Sequence, residues 1–155
     1  MRPLWEAADF VRRTRQRLRF GELSRAPLRL LRFELRGEEA ECEWMARPAD
    51  AWDVDLLPAI AQRNQTYQAL RDTIAIRELM FDAIPEIRTA KLRVYRQSEC
   101  LAELIITGTV TREDKPPLRV SSIAMQAKLC GLHFTLEDGV LGTLSARERH
   151  LGYAT

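Results

Sequence analysis

The chain alternates between two hydrophobic periods. In residues 3–20, Leu4, Ala7, Ala8, Val11 and Leu18 recur at helical spacing, which predicts an amphipathic helix, with Pro3 in its first turn. The period then drops to two. Leu31, Phe33 and Leu35 alternate with Arg32, Glu34 and Arg36. After Gly37-Glu38, Ala40, Cys42, Trp44 and Ala46 alternate with Glu39, Glu41 and Glu43. Two such runs around a glycine turn predict a β-hairpin. "RPADAWDVD" follows as a linker, with Asp53 or Asp55 as a candidate helix cap.

From about Leu56 to Ile84 the helical period returns, marked by Ile60, Tyr67, Leu70, Ile74 and Phe81. Pro58 suits the first turn and Pro85 stops the helix. Its last part, "IAIRELMFDAI", is apolar nearly all round, as in a helix covered on more than one side. At 1.5 Å per residue it is roughly 43 Å long, so it must span the domain, protrude or break.

Two more strands follow, "TAKLRVYR" and "LAELIITGTVTR". Gly108 lies inside the second, where it marks a bulge or the close approach of a packed helix. "PPLRVSSIAMQAKLCGL" is ambiguous between strand and helix. The spacing of Val120, Ile123, Ala124, Ala127 and Cys130 favours helix, with Ser121-Ser122 in its first turns and a stop at Gly131-Leu132. "LHFTLED" is a last strand, Asp138-Gly139 a turn and "VLGTL" a short return. The tail after Ser145 is polar, as loose termini are.

The order is α-β-β-α-β-β-α-β. It predicts an α+β fold with two layers: an antiparallel sheet with helices on one face. The whole chain, 1–155, is expected to be one domain, combining a basic helix and hairpin (1–50) with a long helix, hairpin, helix and strand (53–145).

Residues 69–140 resemble a BON domain, a small bacterial α-β-β-α-β module. The resemblance rests on "IPEIRTAKLRVYR", on "LIITGTV" with Gly108 two before Val110, and on "RVSSIAMQAKLCGLHFTL" with Gly131-Leu132 before the final strand. Between the first two strands this chain has "QSEC" where the family often has glycine. The resemblance implies a non-enzymatic binding module, with anionic lipid surfaces or other ligands as partners, and carries over no catalytic residue.

Charge adds a candidate surface. The net charge is +2, but residues 1–36 hold ten arginines against four acids. Five of them, Arg12, Arg13, Arg15, Arg17 and Arg19, stand in "VRRTRQRLRF". Such a stretch suits phosphate, on nucleic acid or on lipid, and Trp5, Phe10 and Phe20 offer an interfacial anchor beside it. The alternative is a solvated helix face, some of whose arginines pair with Glu39, Glu41 and Glu43. No nucleic-acid-binding motif accompanies the stretch. Arginine outnumbers lysine 21 to 3 along the whole chain, a compositional bias that weakens any inference from arginine alone.

Enzymatic chemistry has little to stand on. The three cysteines, Cys42, Cys100 and Cys130, form no CxxC and fit reduced thiols. Cys130 and His133 are close in sequence, but a structural zinc needs four ligands; core cysteine and ordinary histidine is the simpler reading. The acid pairs Asp53/Asp55, Glu113/Asp114 and Glu137/Asp138 stand at caps or turns. Glu78 and Asp82 lie on the apolar half of the long helix, so one is expected to be partly buried and paired with Arg77 or another arginine. There is no phosphate loop and no nucleophile motif. No apolar run reaches the ~20 residues of a membrane span, and no apolar leader segment opens the chain. The expectation is a cytoplasmic, non-enzymatic module with no metal or cofactor, which uses its basic helix on an anionic surface or a protein partner. A nucleic-acid-associated protein is the alternative and a small enzyme without a recognisable motif the third reading. Homo-oligomerisation stays open.

Overall fold

In the computed structural model, residues 2–19, 21, 26–48, 56–98, 101–117, 119 and 122–144 are described, with side chains from Trp5 onward. The elements are α1 (Arg2–Arg17), β1 (Arg29–Arg36), β2 (Glu39–Met45), α2 (Pro58–Ala83), β3 (Thr89–Ser98), β4 (Leu101–Thr111), α3 (Ile123–Leu129), β5 (Leu132–His133), β6 (Leu136–Glu137) and β7 (Val140–Leu141). The fold is α+β. The candidate caps Asp53 and Asp55, with Phe20, Cys100, Val120, Ser121 and the tail after Ser145, lie outside the described residues.

Both hairpins enter one five-stranded sheet, in the order β1-β2-β3-β4-β5. The sheet is mixed, which corrects the antiparallel expectation. β2 and β3 run parallel, with Ala40 beside Ala90 and Trp44 beside Val94. The other pairs are antiparallel. The reason is the crossover: α2 carries the chain back along the sheet before β3 begins, as parallel neighbours require. β6 and β7 form a separate small hairpin.

Period-two alternation gives the sheet two unlike faces. Phe33, Cys42, Leu92, Val94, Ile106 and Val110 join one apolar cluster with Phe10 of α1, Leu70, Ile76 and Met80 of α2, and Ala127 of α3. The other face is a charged ladder in which Glu43 meets both Arg32 and Arg93, and Glu39 meets Lys91.

Val11 and Leu18 of the expected stripe of α1 pack against the core, but Ala8 is exposed, and the buried residues among those whose side chains are described are Phe10 and Thr14, which the stripe did not include. Phe10 is therefore core and not a membrane anchor; its ring lies 4.7 Å from that of Phe33. A phenyl ring buries far more apolar area than the alanines beside it, and so sets the helix's rotation. In α2 the apolar-all-round half is buried as expected, whereas Ile60 and Tyr67 near its start are exposed.

α3 begins at Ser122, whose hydroxyl accepts the Met125 amide at 3.3 Å. Ser122 is thus a cap and not a first-turn residue. Gly131 follows the helix at φ +109°, a conformation that favours glycine. Gly108 faces this corner: a Cβ there would fall on the Gly131 carbonyl oxygen. The close approach is made by backbone at the end of α3, and the irregularity in the β3–β4 pairing lies elsewhere, between Val94 and Tyr95.

Candidate functional site

The arginine stretch does not form a single surface. Arg13 bonds Asp9 and, across to α2, Asp82 at 2.9 Å. Arg12 also pairs with Asp9. Arg15, Arg17 and Arg19 are exposed, and Arg17 borders a depression between α1 and α2 beside Glu78 and Asp82. Among the described residues, Arg12, Arg13, Arg15 and Arg17 make no ion pair with Glu39, Glu41 or Glu43. Those acids stand on the sheet's other face and meet Arg32, Lys91 and Arg93 instead.

Glu78 and Asp82 are both largely exposed, contrary to the expected partial burial of one. Their partners are Arg77 and Arg13. Cys42 and Cys130 are buried thiols. Burial pushes both up from the usual thiol range, with Glu43 adding to the effect on Cys42. His133 is exposed on β5. Among the described residues, no three of His, Cys, Asp and Glu converge on a point where a metal ion could sit.

Where β2 and β3 end side by side, a cleft opens between the sheet, α2 and the β6–β7 hairpin. It has an inner chamber of about 200 Å³ against Thr66, Ile105 and Leu141, and an outer one of about 590 Å³ against Leu28 and Met45. Ala46, Arg47, Gln65 and Arg96 line both. The location follows from topology, because the carboxyl ends of adjacent parallel strands commonly leave a crevice beyond the sheet. The volume suits a small organic ligand.

Three arginines reach this cleft and they differ in what remains free. Arg47 is buried and fully engaged. Its Nε donates to Asp72 at 2.7 Å, and its two amino groups donate to Asp72 and to the carbonyls of Leu18, Arg19 and Ala26. It is a wall that ties the end of α1 to α2. Gln68 donates to the same carboxylate at 2.9 Å. Burial pushes the Asp72 carboxyl up from its ordinary value, against the opposing pull of Arg47 and Gln68.

Arg96 donates one hydrogen bond to the Leu141 carbonyl and one to Glu103. A guanidinium has five N–H groups, so part of its fork remains for a ligand. Hydrogen bonds from the Thr143 hydroxyl and from Arg96 hold the Glu103 carboxyl below its usual range. Arg29 is exposed and makes no ion pair among the described residues. No carboxylate lines either chamber among the described residues. The cleft therefore combines an apolar floor, a Gln65 amide and two unsaturated cations.

Sequence reasoning did not find Arg47, Asp72 or Arg96. Arg47 opens the segment taken as a linker. Asp72 gave one signal, as an acid among the apolar residues of the long helix. Arg96 closes an alternating strand and looks like any solvent-facing residue. Comparison of the chain with known family models, curated proteins and solved structures gave no match.

Proposed function

We propose that this chain is a non-enzymatic binding module, and that its ligand is an organic anion with an apolar body held in the cleft at the ends of β2 and β3. The observation that carries this reading is a lining without carboxylates among the described residues: Arg29 and Arg96 face an apolar chamber with donors unused. An anion there gains charge-assisted hydrogen bonds while its apolar part covers Leu28, Met45 and Ala46. The BON-like order of α2, β3, β4, α3 and β5 accords with a binding role.

The test uses 8-anilinonaphthalene-1-sulfonate, itself an apolar anion, with octanoate as competitor. The expected result is fluorescence enhancement with a micromolar Kd, displaced by octanoate. Arg29→Gln should weaken binding about tenfold, as loss of one hydrogen bond to a charged group implies. Ala46→Phe, which enlarges a side chain lining both chambers, should abolish it. Unchanged affinity in both variants overturns the reading.

The nucleic-acid alternative rests on the exposed Arg15 and Arg17. It requires binding that falls steeply with salt and is lost when Arg12, Arg13 and Arg17 become serine together. The cleft reading requires indifference to that change.

A further inference from the structure

We infer that the outer edge of β1 is a self-complementary docking strand, through which two copies of the chain pair antiparallel and extend the sheet across a twofold axis.

β1 is the first strand of the sheet and pairs only with β2, leaving its other edge without a strand neighbour among the described residues. It is eight residues long, and such an edge presents a row of unpaired backbone donors and acceptors. Natural edges are usually short, bulged away or covered. Here a bulge at Leu31, which is 42 % exposed, interrupts the start of the strand, and the regular edge runs from Arg32 to Arg36.

What selects a second copy as the occupant is the order Leu31-Arg32-Phe33-Glu34-Leu35. It is a palindrome about Phe33 with its charges exchanged. In a twofold interface, residue i meets j and j meets i. Centred on Phe33, Arg32 faces the partner subunit's Glu34 and Glu34 faces the partner subunit's Arg32. Both charged residues already point to the polar face of the sheet, where Arg32 bonds Glu43 and Glu34. Opposite charges directly across antiparallel strands are favourable and like charges are not.

The neighbouring registers that keep the faces matched are excluded by the same residues. Centring on Arg32 sets two guanidiniums opposite each other. Centring on Glu34 sets two carboxylates opposite each other and Arg32 against Arg36. A slip to the intervening registers places charged positions against apolar ones. Centring on Leu35 also matches opposite charges but pairs only the last three residues of β1, so the alignment on Phe33 is the one that uses most of the strand.

The flank of α1 next to this edge supplies further area. An open groove runs there between Ala8, Val11, Arg12 and Arg15 of the helix and Phe33 of the strand. Trp5, one turn earlier, is 75 % exposed. A stable homodimer buries on the order of 1,600 Å² in all, more than a strand edge offers, and this flank borders the same axis.

Light scattering on the full chain, coupled to size exclusion, tests the inference. The expected mass is twice that of one chain for the unaltered protein. Arg32→Glu and Glu34→Arg should each be monomeric alone. Mixed in equal amounts they should dimerise, because each then offers the charges the other lacks. Circular dichroism checks that both variants fold. Arg32→Glu also loses its contacts with Glu41 and Glu43, so Leu31→Lys serves as a second variant that leaves the charge ladder intact; it too should be monomeric. A monomeric unaltered protein at roughly ten times a micromolar Kd overturns the inference. So does a dimer that survives both Glu34→Arg and Leu31→Lys, or a folded mixture that stays monomeric.

Discussion

The middle and the end of α2 bury arginine in opposite ways. At the middle, Arg47 meets Asp72, a carboxylate that is itself buried, so charge is matched by charge. Towards its end, Arg77 and Arg112 are matched mainly by carbonyls. Arg77 reaches those of Thr111, Arg112 and Asp114, and its one acid, Glu78, is largely exposed. Arg112 collects the carbonyls of Phe81, Ile84 and Ile87 where α2 stops, the Ile84 oxygen also accepting from the Ile87 amide. Both guanidiniums lie 4.9 Å from the centre of the Phe81 ring, as cation–π contacts do. The first arrangement leaves a cavity beside it and the second seals a corner. A chain rich in arginine has used one residue type for a wall, a helix cap and a free surface charge, and only the partners tell these roles apart.

The sharpest way to break the comparison is at Arg47. Arg47→Met strands Asp72 as a buried unpaired carboxylate and releases the carbonyls at the end of α1. The expected loss is about 3–5 kcal/mol in chemical denaturation, and Arg47→Met combined with Asp72→Leu should lose less. A pH series separates the charge from the packing. Because burial raises the Asp72 pKa in the folded state, its ionised form lowers stability at neutral pH, and that loss is relieved as pH falls through the raised value. The unaltered protein should therefore gain stability relative to Asp72→Asn on acidification from neutral pH towards the ordinary carboxylate range. The opposite trend would show that Arg47 outweighs burial at this site.

A smaller loss is expected at the end of the helix. Arg112→Ala removes the donors that close α2 while leaving no buried acid behind. About 1–3 kcal/mol should be lost, with the same effect at pH 5 and pH 7. Since the carbonyls freed lie in the last turn of α2 and just beyond it, hydrogen exchange should quicken at the end of α2 and not at its centre. Equal quickening along the helix would mean that Arg112 holds the fold as a whole.

The comparison also marks what could be read from the chain beforehand. The hairpins, the span of α2 and the glycine stop of α3 rest on local periodicity and turn chemistry, which a sequence displays directly. The parallel pairing of β2 with β3 does not, because it depends on where a long crossover delivers the chain. The stripe of α1 is right at Val11 and Leu18, which pack against the core, and misses that Phe10 and Thr14 bury more deeply while Ala8 faces out, because small residues carry as much weight in a periodicity as the phenyl ring that sets the rotation. The cleft was illegible for a different reason. Arg29, Arg47, Gln65 and Arg96 come from four separate elements or their ends, and nothing local distinguishes them from the other arginines and glutamines. The basic stretch was conspicuous, yet its charges point around a helix and Arg12 and Arg13 are met by acids of α1 and α2.

The smallest expected effect completes the contrast. Arg29 lies at the mouth of the cleft, exposed and without an ion pair among the described residues, so Arg29→Gln should leave the unfolding midpoint unchanged. The same variant is expected to weaken anion binding, which separates its role from those of Arg47 and Arg112, where stability falls first. Thermal unfolding with and without octanoate reads both at once. The unaltered protein should be stabilised by the ligand in proportion to its saturation, and Arg29→Gln should start from the same midpoint but move less. A lowered midpoint without ligand would place Arg29 with the structural arginines, and the division between walls and free cations would then have to be drawn at Arg96 alone.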